Sequence, residues 1–548
     1  MKMSAGSVIE MTLSKISSCF KYLVGLFTVA LFFSNTSFAQ NVTPAKWGSH
    51  LDLEGKAGTK RNLGEVDLFV PLFQNNDTLL FTNIRGRMDD RSSSEGNFGL
   101  GLRHMTSSGW NIGGIAYLDR RKTKFDNYFS QTTLSLEALS MDWDLRANGY
   151  IPHGTRVHEV DSFNTAELSG TSVIFRGGEE RSMSGYDAEV GWRAPFFAVD
   201  AAKQLRFFVG GYRFTGKGMP DISGPRLRTE MTFDDIPTLW KGARVSLGAE
   251  WQNDNPRGSQ GFISARIHIP LQFSGKSKAR LKPMERRMID PVIRDIDIVS
   301  QAGTYGRAEI IQQTTDGQSL TVLNSNTTAT TGELNTALAK ADANTVILSG
   351  TFHTDDMITI PEGQTLIGAG NMTVQSSSGR TAVLTLSGAT ISTKNQGAVY
   401  ALSMEDNTTL RGMTISISKT GGSGRFAILA QNKNGIVIEN STITSFGGTG
   451  GGVGIDAMGS SNIVIKGNEI TAISNTAGAI GIRAMAATNI TIRNNNISTS
   501  TSSLRTVIAG SATTSFNAAS SGNTADGGDC LFSGAPSGSV MFSTFSCP

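Results

Sequence analysis

WDLRANGYIP, residues 143–152, alternates along its whole length: Trp143, Leu145, Ala147, Gly149 and Ile151 fall on one face, Asp144, Arg146, Asn148 and Tyr150 on the other. Period two means a strand, because successive side chains leave opposite faces of a pleated chain. A strand that crosses a membrane in a closed barrel needs about 9 to 11 residues, apolar outward and polar inward. This segment has that length, and its polar face carries an arginine. A soluble antiparallel barrel or sandwich is the competing reading.

The pattern recurs on both sides. From Arg244 to Trp251, Val245, Leu247, Ala249 and Trp251 oppose Arg244, Ser246, Gly248 and Glu250; further on, Ile263, Ala265, Ile267, Ile269 and Leu271 oppose Ser264, Arg266 and His268. Taking turns as boundaries, the sequence predicts strands over 48–57, 63–72, 78–88, 96–105, 109–119, 129–139, 142–152, 183–194, 205–215, 224–233, 243–252 and 260–272. An even number returns the chain to the side where it began, and closure leaves no unpaired edge in lipid. The lumenal faces then hold Arg146, Arg244, Glu250 and Arg266. All 6 tryptophans precede residue 252, and Trp47, Trp110, Trp143, Trp192, Trp240 and Trp251 are expected near strand ends as an interfacial girdle.

Residues 153–182 interrupt the pattern with His153, His158, Glu159, Asp161, Glu167, Glu179 and Glu180. They read as a solvated external loop. The two histidines stand five apart with no cysteine, which is not the spacing of a metal site. His104 and His268 read as single barrel side chains.

The chain opens with Lys15 and Lys21 before an apolar run, Tyr22 to Phe33, and a small-residue exit at Ser37-Phe38-Ala39. That is a signal peptide with cleavage after Ala39. A net charge of +3 and pI ≈ 8.6, with no lysine/arginine block, exclude nucleic acid as an expected partner.

Several stretches together resemble the β-domain of the intimin/invasin inverse autotransporters: VDLFVPL (66–72), LLFTNIRGRMDDR (79–91), NFGLGLRHM (97–105), WDLRANGYIP and SMSGYDAEVGWRAP (182–195). The similarity covers about residues 45–300. It implies an outer-membrane barrel of the type Ve secretion class that exports a C-terminal passenger to the cell surface, with part of the linker in the pore. Outer-membrane lipid, the barrel-assembly machinery and periplasmic chaperones are the partners it implies. Only about seven residues separate Ala39 from Trp47, so no lysin-motif domain is expected.

After the last strand comes KPMERRMIDPVIRDIDIVS, residues 282–300. Pro283 suits the first turn of a short helix running to about Asp290, and Pro291 stops it. Arg294-Asp295-Ile296-Asp297-Ile298 reads as extended chain. On these residues alone a solvated linker and a pore segment fit equally well. The resemblance implies the pore, where Glu285, Arg286, Arg287, Asp290, Arg294, Asp295 and Asp297 would meet the lumenal charges. Gln301 to Gly317 is expected to cross the surface.

Beyond it the composition turns to Gly, Ser, Thr and Asn, and a repeat appears. GIDAM (454–458) recurs 27 positions on as GIRAM (481–485), NIVIK (462–466) as NITIR (489–493), and AILA (427–430) with GIVIE (435–439) stands one period earlier. Fainter copies lie at 399–402 and 409–417. Short apolar strands with Gly/Asn corners at fixed period stack into a parallel β-helix, right-handed by the general crossover preference. Gly332 to Ala341 reads as an amphipathic helix covering the first coil, and the pattern resembles the pectin-lyase-like superfamily. Glu439 with Lys466, and Asp456 with Arg483, are expected as ladder pairs between coils. Cys530 and Cys547 are expected to form a disulfide in the terminal segment.

The fold expected is all-β: a 12-stranded antiparallel transmembrane barrel followed by a right-handed parallel β-helix. The division is signal peptide 1–39, a short periplasmic N-terminus 40–46, barrel 47–273, pore-threading linker 274–317, β-helix passenger 318–510 and a Gly/Ser-rich tail 511–548. The passenger is expected to be an adhesin for an unknown receptor or glycan. Residues 318–548 hold 12 acidic residues, 11 basic ones and the single histidine His353, with no carboxylate set recurring at coil spacing, so no enzyme, cofactor or metal is expected. A surface polysaccharide lyase or hydrolase on the same barrel is the alternative, with Asp355 and Asp356 as its acidic pair.

Overall fold

A computed structural model describes residues 46–236, 239, 242–271, 281–294, 297–341, 344–394, 397–419, 422 and 424–548. The N-terminal half contains strands β1 (His50–Gly58), β2 (Leu63–Gln74), β3 (Thr78–Asp89), β4 (Ser94–Met105), β5 (Asn111–Lys122), β6 (Tyr128–Leu139) and β7 (Trp143–His153). Four short strands follow: β8 (Val157–Glu159), β9 (Thr165–Ser169), β10 (Ser172–Arg176) and β11 (Glu179–Ser182). Then come β12 (Ser184–Arg193), β13 (Lys203–Thr215), β14 (Ile222–Asp234), β15 (Arg244–Asp254) and β16 (Gly258–Pro270).

Strands β1–β7 and β12–β16 close into one antiparallel barrel, β1 pairing with β16. Each of the twelve predicted strands has its counterpart. Alternation decides the faces: Leu134, Leu136, Leu145, Val209 and Ile263 point outward and are exposed, while Asn83, Arg103, Asp119, Thr133 and Glu137 point inward and are buried. The outward set forms the apolar band that lipid requires. Where large lumenal rings need room, glycine provides it: a Cβ on Gly99 would lie 2.3 Å from the Tyr117 ring.

Trp143 and Trp192 pair across β7 and β12 with both rings exposed, as an interfacial girdle demands. Trp47 departs from that expectation. It is 0% exposed and packs inside the barrel with Phe69, Phe81 and Tyr117, because the chain before β1 turns into the lumen. Trp240 and Ala39 lie outside the described residues.

The interruption after β7 is not a plain loop. Strands β8–β11 build two small sheets with the segment beyond the barrel, where β17 (Ser300–Gly303) pairs with β11 and β18 (Ala308–Ile311) with β10. The stretch expected to cross the surface from Gln301 is therefore pinned to this loop.

The C-terminal half begins with β19 (Leu320–Asn324) and helix α2 (Thr331–Lys340), α1 being the pore helix Pro283–Arg287. Then come β20 (Thr345–Thr354), β21 (Ile358–Ile360), β22 (Thr365–Ile367), β23 (Ala369–Gln375) and β24 (Thr381–Ser387). From there short parallel strands stack in three columns. Ile438, Ile465 and Ile492 pair in register, at the 27-residue period of the repeat. Their side chains fill a continuous core with Ile415, Ile443 and Ile470.

Each coil turns a corner at a left-handed residue, Asn440, Gly467, Asn494 or Gly522, with φ between 50° and 74°. The next residue completes a buried ladder: Ser441 N–H donates to Asn468 Oδ1 at 2.9 Å, Asn468 N–H to Asn495 Oδ1 at 2.9 Å and Asn495 N–H to Asn523 Oδ1 at 3.0 Å. These asparagines satisfy backbone groups that burial would otherwise leave unpaired.

Both ends of the stack are covered. Leu334 and Leu338 of α2 enter the core beside Val346 and Leu366, and Val540, Phe542 and Cys547 close the other end. The stack runs past residue 510: Thr524–Asp526 adds to Asn496–Ser500 and Asp529–Ser533 to Arg505–Ser511. Cys530 and Cys547 form a disulfide with Cα atoms 5.6 Å apart. No helix among the described residues is long and apolar enough to cross a membrane, which bears on helices only.

Candidate functional site

The site is the barrel lumen and the chain that runs through it. Both barrel termini lie at one end, so residues 281–299 must traverse the interior to reach the loop that holds β17. They do so in three levels.

At the terminal end, α1 begins at Pro283, where no backbone donor is needed. Trp47 Nε1–H donates to the Glu285 carbonyl at 2.7 Å, Asn111 Nδ2–H to the Met284 carbonyl at 3.1 Å, and Lys46 pairs with the Glu285 carboxylate at 2.9 Å. Arg103 donates to the Met288 carbonyl at 2.8 Å. Met288 and Val292 fill the aromatic cluster around Trp47.

One turn on, charges interlock. Arg286 meets Asp234 at 3.1 Å, Arg287 meets Asp144 at 2.6 Å, and Asp290 meets both Arg244 at 2.7 Å and Arg287 at 3.1 Å. Pro291 prevents further helix, and the extended chain hands its carbonyls to the wall: Arg85 donates to Val292 O at 3.0 Å and Asn148 to Ile293 O at 3.2 Å.

At the third level Arg294 lies 3.1 Å from Asp119 and 4.0 Å from Glu95, and Asp297 faces Arg61 at 2.5 Å, Arg87 at 3.4 Å and Arg121 at 3.8 Å. Ile298 N–H donates to Glu95 at 2.8 Å, its carbonyl accepts from Arg121, and Met183 N–H donates to Val299 O at 2.8 Å. Desolvated charges are tolerable only when paired, so the opposite signs at each level fix the register of the chain in the pore.

Of the linker residues expected in the pore, Glu285, Arg286, Arg287, Asp290, Arg294 and Asp297 all lie there; Asp295 falls outside the described residues. The wall partners differ from expectation. Among the described contacts, only Arg244 of the four expected lumenal charges reaches the linker. Arg146 is held by Asp144 and Glu189, Arg266 by Glu54, and Glu250 lies 3.7 Å from Lys56. The working partners Arg87, Asp119, Arg121, Asp144 and Asp234 stand on inward positions of the same alternating strands, and Arg61 stands in the turn between β1 and β2. Their signal was present in the pattern, but register across the pore is invisible in one dimension.

His268 is not a lone side chain. On the β1–β16 seam its Nδ1 lies 2.8 Å from Asp52 Oδ1, and its ring is 4.1 Å from that of His50, which also stacks on Phe69. Among the described residues these three buried side chains are the one His/Asp group close enough to share a cation.

In the solenoid, Glu439 and Lys466 meet at 2.6 Å, and Asp456 pairs with Arg483. Asp456 is buried and also accepts from Gln431, so this pair is not the exposed ladder contact of its neighbour column. The Asp456 contact raises the Arg483 guanidinium above its ordinary range. Asp355 serves the corner after β20: its N–H donates to Thr331 Oγ1 at 2.9 Å, and its carboxylate accepts the same hydroxyl. Asp356 accepts from Met357 N–H at 2.8 Å.

Residues 30–222 match the family described as inverse autotransporter, beta-domain, and residues 373–542 match the right handed beta helix region. The chain is similar to the outer membrane protein OprD from Pseudomonas aeruginosa (11% identity, TM-score 0.23, covering 40% of this chain and 65% of that one). It is similar also to the COG4313 outer membrane channel from Pseudomonas putida F1 (9%, 0.30, 42% and 99%) and to outer membrane phospholipase A from Escherichia coli (8%, 0.24, 41% and 92%). Comparison with curated proteins gave no match.

Proposed function

Because the chain carries an inverse autotransporter β-domain in the outer membrane followed by a right-handed β-helix passenger, we propose that the barrel exports its own solenoid and holds it at the cell surface as an adhesive module. The observation that carries this reading is the linker, which enters the lumen at the end where the barrel chain terminates and leaves at the other. A chain that has passed through a pore and stayed in it would occupy it in this way. The outward apolar band takes lipid, and insertion falls to the barrel-assembly machinery, with periplasmic chaperones delivering the chain.

Adhesion is supported by the surface of the solenoid. Its exposed columns are polar and regular: Asn462 and Asn489, and Asn489 and Asn517, are linked side chain to side chain at 2.6 and 3.4 Å. Such ridges suit hydrogen-bonded recognition of a receptor or glycan. A lyase or hydrolase role finds no support at Asp355 and Asp356, whose carboxylates are engaged by Thr331 and by the backbone.

Protease shaving of intact cells tests the topology. The proposal expects loss of the solenoid with the barrel retained. Protection of the solenoid until cells are permeabilised would overturn it. Binding of intact cells to immobilised glycans and host-surface proteins, lost after shaving, tests the adhesive role.

A further inference from the structure

The loop between β7 and β12 meets the solenoid in an unusual way. Strands β9 and β10 form a hairpin turning at Gly170, with Val173 and Phe175 buried on one face. A two-stranded hairpin is marginal in water, and its two free edges invite pairing. Both edges are taken by chain beyond the barrel. β18 lies antiparallel on β10, with Val173 opposite Ile311, and β24 pairs with β9 at Leu384 and Ala166. β23 lies beyond β24, and an isolated bridge from Thr314, three residues past β18, to Val374 of β23 brings the two ends of the sheet together around its core. Arg380, in the β23–β24 turn, reaches Asp161 at 2.9 Å, Asn164 at 2.5 Å and the Gly178 carbonyl at 2.7 Å, all in the loop.

The sequence of one solenoid column explains what this core covers. Val322, Ile347, Ile367, Arg411, Glu439, Lys466 and Arg493 follow one another in register on the outer face. The first three are apolar and buried in one cluster with Phe175, Val374 and Leu384; the rest are charged. Only β19 and the first two coils are therefore built to have their outer face covered, and the barrel loop supplies part of the cover.

We propose that this loop, residues 154–183, is a folding template for the solenoid. A coil stacks only on its neighbour, and the first coil has no full coil before it, only the single short strand β19. Parallel pairing is also slow, because long connections must close before contacts form. The loop is in place once the barrel has closed. It captures β18 and then the β23–β24 hairpin, offers Val173 and Phe175 to Ile347 and Ile367, and so seeds the first coil beside the pore mouth. Folding then proceeds outward, coil on coil. This rests on the reading that the solenoid passes through the pore.

The order of events tests it in the full chain. In an Ala166→Cys, Leu384→Cys variant, pulse-labelled cells are sampled for the joined 166–384 peptides and for protease resistance of coils 452–511. The template requires the crosslink first; a crosslink that appears only after the distal coils resist protease overturns it. In parallel, Phe175→Asp should leave the barrel heat-modifiable and slow acquisition of resistance about tenfold, as changes in a nucleus do. A wild-type rate with an inserted barrel overturns the proposal. If the wild-type solenoid is protected in intact cells the export reading fails, while crosslink timing in permeabilised cells still decides the template.

Discussion

Arg294 and Asp119, 175 residues apart in the chain, meet at 3.1 Å inside the closed barrel, both fully enclosed. Removing one member of a buried pair strands the other, at a cost of about 3–5 kcal/mol. Arg294→Ala should therefore loosen the threading segment. In planar bilayers the wild-type barrel is expected to be nearly closed, with Arg294→Ala and Asp119→Ala each opening it. The double variant should be less open than either single one, since it leaves neither member of this pair stranded. Equal conductance in all four proteins would show that this pair does not hold the plug.

His268 and Asp52 close the β1–β16 seam in the same manner. His268→Ala leaves a buried carboxylate short of its donor, worth about 1–3 kcal/mol. The folded band on heated gels should convert at a lower temperature than in wild type. His104 makes its contact with Thr78 in an exposed setting at the rim, so His104→Ala should convert at the wild-type temperature.

What the sequence made legible follows from range. Alternation is local, and it located all twelve barrel strands; the 27-residue period is nearly local, and it located the solenoid columns. The seam triad was hidden because His50 and His268 are brought together only by closure. Trp47 looked like a girdle residue because position near a strand end cannot distinguish lumen from lipid. In the loop, SVIFR (172–176) does alternate, with Val173 and Phe175 on one face and a Ser-Gly-Thr turn before it. The segment reads as solvated because the strand on its other edge, β18, lies more than a hundred residues on, and because the hairpin carries Glu167 and Arg176 on its outer face.

The two asparagine columns of the solenoid provide an internal contrast. Asn495 is buried, donates to Ile465 O at 2.9 Å and accepts from Asn468 N–H at 2.9 Å. Asn495→Ala orphans both backbone groups, about 1–3 kcal/mol each. Asn489 is exposed, and water replaces its side-chain contact. Thermal melts of the solenoid should fall clearly for Asn495→Ala and hardly at all for Asn489→Ala; equal losses would mean that the buried ladder contributes no more than the surface one.

The cap on α2 makes one end of the solenoid sensitive to acid. Thr330 Oγ1 accepts from Glu333 N–H at 3.2 Å, and the Glu333 carboxylate accepts from Thr330 N–H and Ala329 N–H, both at 3.0 Å. The Thr330 backbone donor, followed by its hydroxyl, holds the Glu333 carboxyl below its ordinary range. A carboxyl depressed in the folded state stabilises it fully above the unfolded value, about 4.3, and that contribution disappears as pH falls through the folded value. Since Leu334 and Leu338 of α2 seal the core, the protection factors of the Thr331–Lys340 amides, with the intrinsic pH dependence of exchange divided out, should fall on acidification while those of the inner coils hold. Glu333→Gln keeps an acceptor but cannot be protonated. Its protection factors should be nearly flat across the same pH range, and a wild-type acid response in that variant would place the sensitive group elsewhere.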